Sequence, residues 1–308
     1  MNERTEHLRS QLISNYYRRV NPDWTRPRIL HWAKLVSQDG HWRWSRSDMG
    51  MRGKLIRHSP LHLYQTVMRI KSENPPRGRV TQGYLLGGPL FFDIDVIDDG
   101  TPFSLWRILD CIGLVEDLFD AILDRGGYKI GSVVFSGFRG IHMTFDSIDP
   151  ELPIVLKHNH NSELRSMKRE RIQLARSIGN WLPRWDWQVS GDIWRVSRVP
   201  LGIHGTSALA ALRLTLPLTQ KNLRNHLSQA SPFSLRRSIR LRMRRPVPLF
   251  TFIDGETYGP YRKGWATKLP IAVALHLIWS EFAKPREQGP KNASRWFWEG
   301  WAKRGAAE

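Results

Sequence analysis

Stretches of apolar residues at helical or alternating spacing divide the chain into recognisable elements. Residues 4–20 carry apolar side chains three and four positions apart, which predicts an amphipathic helix. The stretch HLYQTVMRI (62–70) reads as a strand, whereas residues 21–60 mix Trp, Arg, Pro and Gly without an assignable period. The sequence NPPRGR (74–79) predicts a turn or an exposed loop.

The clearest pattern lies in the middle of the chain. GYLLGGPLFFDIDVI (83–97) ends in an apolar strand, and Thr101 as N-cap with Pro102 as first helical residue opens an amphipathic helix that stops at a glycine pair. The stretches 128–135 and 141–145 predict two strands, and the five residues SGFRG between them predict an antiparallel hairpin. The resulting β-α-β-β unit requires one mixed sheet with the helix packed on one face.

The second half of the chain is more basic. Residues 162–182 predict a basic amphipathic helix, and residues 247–254 predict a strand. Residues 269–283 predict a mostly buried helix opened by Pro270, and the run SLRRSIRLRMRR (234–245) is intensely basic. We expect the basic helix and the basic run to contact a polyanion.

Charge changes the picture from a generic fold to a binding protein. The 308 residues include 47 Lys and Arg against 28 Asp and Glu, a net charge of +19, which favours nucleic acid or nucleotide as partner. The alternative is a generically basic surface. No apolar run approaches the roughly 20 residues of a membrane helix, and the N-terminus has no secretory pattern. The single Cys111 excludes an internal disulfide and a cysteine-rich zinc site, and we expect it in the core.

Tryptophan is abundant, and several of the 14 Trp residues stand beside basic or polar residues. Such indoles could stack on bases, although packing is the alternative for each of them. We expect residues 1–285 to form a single catalytic domain and residues 286–308 to form a basic, Trp-rich, flexible tail. The candidates for stacking are Trp42, Trp44, Trp185, Trp187, Trp296 and Trp298.

Asp93 and Asp95 end the apolar strand LFFDID. Side chains two apart on a strand point to the same face, and two ionised carboxylates that close repel each other. A divalent cation removes this repulsion, because hard ions such as Mg²⁺ prefer carboxylate oxygens. The pair therefore indicates a metal platform; the alternative is a strand-end turn with solvated acids.

The stretch FSGFRGIH (135–142) combines donors that suit a phosphate. Ser136, Arg139 and His142 supply a hydroxyl, a guanidinium and an imidazole beside the backbone amides of a turn flanked by glycines. An ordinary hairpin loop would explain the glycines but would not require a histidine on the following strand. The stretch therefore favours a phosphate-binding turn.

A third stretch, 184–212, contains further acids and donors. Asp186 could complete a site of three carboxylates, which phosphoryl-transfer enzymes place around two cations to align an attacking hydroxyl with a leaving pyrophosphate. Arg198 and His204 would then give positive donors to a triphosphate. Taken singly, Arg198 could form a surface ion pair and His204 could be a core histidine that donates to a carbonyl. The stretch also holds Asp192 and Arg195.

The three stretches together resemble the archaeo-eukaryotic primases, and within them the catalytic small subunit. FFDID matches an apolar strand that ends in Asp-x-Asp, and SGFRGIH matches Ser-Gly-basic-Arg-Gly-x-His. Arg198 follows Asp186 by twelve positions and His204 follows it by eighteen, with Pro200 in a basic-x-Pro-x-x-x-His setting. HGTSAL resembles the family's HGKTGL, and the resemblance covers roughly residues 60–285.

This resemblance implies an α+β archaeo-eukaryotic primase fold, with an RRM-like β-α-β-β layer and a second mixed sheet that together form an active-site cleft. It implies a DNA primase small subunit, a nucleotidyltransferase that makes short primers on single-stranded DNA from nucleoside triphosphates by two-metal catalysis. It implies a primase large subunit as partner, a cytoplasmic, nucleoid-associated location and no membrane. Carried over by position, the catalytic residues and ligands of two Mg²⁺ or Mn²⁺ ions are Asp93, Asp95 and Asp186. The residues that hold the nucleotide are Ser136, Arg139, His142, Arg198 and His204.

Two departures from the family pattern stand out. Phe138 occupies a position where family members often have a basic residue, so only Arg139 remains there. Family members also commonly carry a zinc-binding insertion of cysteines and histidines, which a chain with one cysteine cannot build. His158 and His160 are too few for a structural zinc site, so we expect none.

Other functions remain open at this point. A primase-like repair or end-joining polymerase would use the same motifs but would extend existing ends without starting new strands. An inactive relative would serve as a nucleic-acid-binding scaffold and should lack an acid or His204, yet the sequence retains them all. A nucleotide-sugar transferase would use Asp-x-Asp with a metal but would leave the second and third stretches unexplained.

Overall fold

Helices and short strands alternate along the chain in a mixed α+β architecture that contains several antiparallel sheets. A computed structural model describes residues 3–24, 32–37, 40–46, 50–70, 85–95, 100–148, 161–179, 187–192 and 195–286. The helices are α1 Glu3–Arg19, α2 Met51–His58, α3 Leu105–Leu109, α4 Ile112–Leu123, α5 Asn161–Gly179, α6 Trp187–Gly191, α7 Gln220–Leu227 and α8 Ile271–Trp279. The strands are β1 Trp32–Val36, β2 Trp42–Arg46, β3 His62–Thr66, β4 Arg69–Ile70, β5 Leu85–Gly87, β6 Leu90–Asp95, β7 Tyr128–Phe135, β8 Gly140–Ser147, β9 Val196–Arg198, β10 Leu212–Leu214, β11 Ser238–Met243, β12 Phe250–Thr251, β13 Thr257–Tyr258, β14 Ala266–Pro270 and β15 Ala283–Pro285.

The first sheet has the strand order β2-β1-β3-β9 and is antiparallel throughout. Its core-facing side chains, Ala33, Leu35 and Leu63, are buried because strand residues alternate between the two faces. Helix α1 buries the predicted stripe, including Leu12 and Tyr16, in the same core cluster. The stretch 21–60, in which the sequence predicts no element, thus contributes β1 and β2 to this sheet and also forms α2.

The second sheet has the order β10-β7-β8-β6 and contains the predicted hairpin. Strand β6 pairs antiparallel with β8 over the whole length of β6, and β8 pairs antiparallel with β7 after the turn at 136–139. The expected mixed sheet is therefore wrong for the described pairs, which are all antiparallel. The reason is that β8 runs between β6 and β7, so the two parallel strands are never neighbours.

The helix between β6 and β7 differs from its prediction. It begins after Ser104 and not after Thr101, and it breaks into α3 and α4 around Asp110 and Cys111. The Thr101 hydroxyl donates to the carbonyl of Pro102 and caps no helix. Cys111 is fully buried at the break, as its apolar surroundings predicted.

The C-terminal half also departs from expectation in detail. Residues 247–254 form only the short β12, with Val247 in an isolated bridge to Tyr261. Pro270 ends β14 and serves as N-cap of α8, whose residues are all buried. The basic run forms β11 in a third sheet of order β14-β11-β15. Trp181, the 74–79 loop, the 158 and 160 histidines and the tail from 287 lie outside the described residues.

One large cluster of buried side chains joins helices α1, α2, α3, α4, α7 and α8 to both four-stranded sheets. A small separate cluster of Val67, Phe91 and Val189 lies on the opposite face of β6 and fastens α6 to that strand. Among the described helices, none is long and apolar enough to cross a bilayer.

Candidate active site

Alternation along β6 places the two acids on one face of the second sheet. Leu90, Phe92 and Ile94 point into the main core, each no more than 3% exposed, so Asp93 and Asp95 point the other way. Asp93 is buried at 7% exposure, whereas Asp95 at the strand end is exposed. The strand therefore presents one buried and one accessible carboxylate side by side.

Gly140 makes room for both carboxylates. It lies directly opposite Asp95 in the ladder between β6 and β8. A β-carbon at this position would collide with Asp95 Oδ1 and would lie 3.3 Å from Asp93 Oδ1. A glycine is therefore required where the acidic oxygens converge, whatever its backbone angles.

One arginine and one histidine contact the carboxylate of Asp93. Arg195 Nη2 lies 3.1 Å from Asp93 Oδ2, and His142 Nε2, directly opposite in the ladder, lies 3.4 Å from Oδ1. Oδ1 is buried and accepts no hydrogen bond from the described residues, although the His142 ring lies close to it. A buried carboxylate oxygen left without a donor is the type of atom that a cation satisfies.

Arg198, at the end of β9, connects the first sheet to the second. Its backbone N–H donates to His142 Nδ1 at 3.4 Å, and its guanidinium Nη1 donates to His62 Nδ1 at 2.9 Å. The guanidinium lies 4.2 Å over the ring of Tyr64, its cross-strand neighbour. Arg198 is 7% exposed, and no carboxylate of the described residues forms an ion pair with it. The alternative of a surface ion pair is therefore wrong for this residue.

His204 lies in a tight loop beside this cluster. Its Nδ1 accepts backbone N–H groups of Thr206 at 3.2 Å and Ser207 at 3.4 Å, so its Nε2 carries the hydrogen. Its ring stands edge-on to that of His62, with 4.7 Å between centroids. Its Nδ1 is therefore an acceptor and cannot donate to a carbonyl, and its Nε2–H is the donor that the ring can offer.

The turn between β7 and β8 packs against the His204 loop. Gly137 has φ of +88° and would place a β-carbon 3.1 Å from His204 Cβ, so the close approach and the backbone angle both require glycine. The Ser207 hydroxyl donates to the Gly137 carbonyl and fastens the two loops together. Ser136 Oγ accepts the N–H of Gly140 at 3.1 Å and retains its own hydrogen to donate.

Phe138, the residue that departs from the family pattern, fills a gap between two of the expected phosphate ligands. The centre of its ring lies 5.2 Å from that of the His204 ring, and the Arg139 guanidinium lies 5.4 Å from the centre of the Phe138 ring. The phenyl ring thus supports both side chains where a second cation would repel Arg139. This contact gives the substitution a packing role.

Burial keeps the histidines of the site neutral. Burial lowers the pKa of His142, and the nearby Asp93 charge offsets part of this decrease. Burial also lowers the pKa of His204 well below its usual value. Burial and the nearby Arg198 lower the pKa of His62 to about 3. The positive charge of the cluster therefore comes from Arg198 and its neighbouring arginines, and the imidazoles act as neutral donors and acceptors.

The structure brings together seven of the eight site residues predicted from sequence. Asp93, Asp95, Ser136, Arg139, His142, Arg198 and His204 lie in one connected set of contacts across the two sheets. Asp186 lies outside the described residues. Sequence reasoning missed His62 and Tyr64, which lie in the predicted strand at 62–70 but in no recognised motif, and it gave no role to Arg195.

The residues present fit a divalent cation at the strand end. Asp93 and Asp95 supply hard oxygen ligands on one face, and one of those oxygens is buried without a hydrogen-bond donor. Within the described parts of the chain, no group of three or more His, Cys, Asp or Glu side chains is close enough to bind a metal by itself. A complete site would need a further ligand from elsewhere, such as the undescribed Asp186 or a substrate phosphate.

Comparisons with known proteins agree with the motif pattern. No protein-family model matches the chain. DNA primase small subunit PriS of Pyrobaculum calidifontis is 25% identical over 274 residues, covering 76% of this chain and 84% of that protein. PriS of Pyrobaculum aerophilum is 24% identical over 271 residues with the same coverage. Among solved structures, the polymerase domain of Mycobacterium tuberculosis ligase D in complex with DNA has a TM-score of 0.45 and 15% identity, covering 70% of this chain and 82% of that chain. The PriS matches confirm the family resemblance that the three motifs carry.

Proposed function

We propose that this chain, a relative of the DNA primase small subunits, is itself the catalytic subunit of a DNA primase. It would join nucleoside triphosphates on a single-stranded DNA template by nucleotidyl transfer. The observation that carries the proposal is the meeting of Asp93 and Asp95 on one sheet with the buried Arg198 on the other. That arrangement sets metal-binding oxygens beside a cation that has no carboxylate partner among the described residues.

Asp93 and Asp95 would hold the divalent ions, Mg²⁺ or Mn²⁺, and Asp186 would complete the set. Asp186 immediately precedes α6, which packs Val189 against Phe91 on the acid-bearing face of β6, and this supports its assignment. When bound, such ions lower the pKa of an attacking hydroxyl and neutralise a leaving pyrophosphate. Arg195, which pairs with Asp93 Oδ2, would orient that carboxylate while Oδ1 remains for the ion.

Arg198 would bind the triphosphate of the incoming nucleotide. A buried guanidinium that forms no ion pair with the described carboxylates is costly until an anion approaches, so its interaction with phosphate is strong. His142 holds the Arg198 backbone, and His62 holds its guanidinium, which fixes the donor before substrate arrives. Positioning and charge stabilisation of this kind supply most of the catalysis in phosphoryl transfer.

The hairpin turn and the His204 loop would complete the nucleotide site. Ser136 offers a hydroxyl hydrogen, Arg139 a guanidinium and His204 its Nε2 hydrogen, all neutral or positive donors that suit phosphate oxygens. The RRM-like β-α-β-β layer and the first sheet would then form the two walls of an active-site cleft within one catalytic domain, residues 1–285. A primase large subunit is the partner that the family resemblance implies.

An activity assay on an active-site variant tests this proposal. Asp95→Asn keeps the shape of the side chain against Gly140 but removes the charge that a cation requires. We expect primer synthesis on unprimed single-stranded DNA with Mg²⁺ or Mn²⁺ to fall to background, while circular dichroism and the melting temperature stay as in the wild type. Asp117→Asn is the matched control, because Asp117 is an exposed aspartate on α4. This variant should make primers at the wild-type rate. Synthesis by Asp95→Asn at the wild-type rate would refute the assignment.

A further inference from the structure

The face of the first sheet that carries Arg198 continues outward as a row of aromatic and cationic side chains. In the antiparallel ladders, Trp44 lies opposite Lys34, Lys34 opposite Tyr64, and Tyr64 opposite Arg198. Residues directly opposite in such ladders share a face, so all four project to the same side, away from the buried Ala33 and Leu35. With neighbouring strands about 4.8 Å apart, the row spans roughly 14 Å.

Trp42 extends this face at the sheet edge. It lies opposite Val36, two residues along β2 from Trp44 and therefore on the same face, and is 53% exposed. The Lys34 ammonium lies 4.9 Å from the centre of its ring, and the Trp44 ring meets it edge-on at 5.7 Å. Neither WAKLV nor WRWSR contains an acidic residue. An exposed indole beside cations and without acids on its strands is a surface suited to a base and its phosphate.

Burial in the core does not account for Trp42, because this side chain is 53% exposed, whereas Lys34 and Trp44 beside it are half-buried. Cations placed along an aromatic row instead match the repeating chemistry of a single strand, in which flat bases alternate with anionic phosphates. The row begins at Arg198, which under the proposed function binds the triphosphate of the incoming nucleotide. A strand bound along it would therefore reach the site directly.

We propose that Trp42, Trp44 and Lys34 form a stacking site for single-stranded DNA that leads to Arg198. The inference rests on the proposed function for the identity of the strand as template, but the binding itself is independent of catalysis. Trp42 stacks on a base, and Lys34 contacts the adjoining phosphate. Tyr64 is covered by the Arg198 guanidinium, so it supports the row and is not itself a stacking platform.

Equilibrium binding of a labelled single-stranded DNA of about twelve nucleotides tests the inference, measured in EDTA so that no catalysis occurs. Trp42→Ala should raise the dissociation constant at least fivefold, because loss of one base–aromatic stack costs about 1 kcal/mol or more. Trp42→Phe should recover most of the affinity, since a phenyl ring still stacks. Trp106→Ala is the matched control: Trp106 on α3 is 49% exposed with the Arg224 guanidinium 4.4 Å from its ring centre, and this variant should bind as the wild type does.

Two results would overturn the inference: a dissociation constant for Trp42→Ala within twofold of the wild type, or an equal loss in Trp106→Ala. In the first case, a wild-type protein that still makes primers leaves the proposed function standing without this surface. Conversely, a fivefold loss in Trp42→Ala together with normal synthesis by Asp95→Asn would support the surface and refute the proposed catalytic site. The two failures are therefore distinguishable.

Discussion

His276 links the buried helix α8 to the His204 loop, and its protonation should destabilise the protein in a measurable way. Its Nε2 accepts the backbone N–H of Phe103 at 3.0 Å, so its Nδ1 carries a hydrogen that it donates to the Ser207 carbonyl at 3.0 Å. The side chain is fully buried, and burial lowers its pKa from 6.5 to about 4. A second proton would break the bond to Phe103 and charge the core.

The folded-state pKa lies below the unfolded value, so the unfolded chain binds the proton more tightly. The stability that His276 contributes is therefore complete above pH 6.5 and is lost as the pH falls toward 4. A pKa shift of this size contributes about 3 kcal/mol to the free energy of unfolding, and about 2 kcal/mol of this contribution is lost between pH 8 and pH 5.

Urea unfolding of the wild type and of His276→Gln at pH 8 and pH 5 measures this contribution. Gln can accept from Phe103 or donate to Ser207 but does not titrate. We expect His276→Gln to be less stable than the wild type at pH 8, with the difference about 2 kcal/mol smaller at pH 5. His7→Gln, at an exposed position on α1, is the control and should keep the wild-type pH dependence. A stability difference that is equal at both pH values would refute the reasoning.

The other predictions concern the loop at 204–209 and the basic third sheet. Ala208 has a left-handed φ of 61° at the position where HGTSAL departs from the glycine of HGKTGL, so Ala208→Gly should stabilise the protein by up to about 1 kcal/mol and raise the melting temperature by a few degrees. The control is Ala210, which is buried nearby and does not have a positive φ. Ala210→Gly should lower the melting temperature. Equal changes in melting temperature in both variants would contradict backbone strain at residue 208. Arg240 of β11 lies opposite Lys268 of β14, and two like charges side by side favour an anion bound between them. Arg240→Ala should therefore reduce the slope of log affinity for single-stranded DNA against log salt concentration by about 0.7. An unchanged slope would exclude Arg240 from phosphate contact.

Local pattern was enough to predict the elements whose signals are local. The alternation of LFFDID predicts a strand with its acids on one face, and SGFRG between two apolar runs predicts the hairpin that the structure confirms. Motif spacing predicted that Arg198 and His204 belong with Asp93, and their contacts through His142 and His62 agree. These features are encoded by residues close together in sequence or by a family pattern.

Long-range pairing was not predictable from the same signals. His62 reaches the site because β3 pairs with β9 and because residue 62 bridges to residue 204, contacts between segments far apart in the chain. Its own neighbourhood carries no motif, so nothing in the local pattern indicates a ligand to Arg198. The break at Cys111 is similar: the apolar face runs through it, but the packing of α3 against α7 and of α4 against β7 divides the helix.

Dinucleotide formation from free nucleoside triphosphates on an unprimed single-stranded template tests the central claim most directly. A primase joins the first two nucleotides without an existing end, whereas a repair or end-joining polymerase only extends one. The account predicts a labelled dinucleotide with the wild type and none with Asp95→Asn or with Arg198→Ala. Extension of a supplied primer without any dinucleotide would contradict the primase assignment, and dinucleotide formation by both variants would contradict the site.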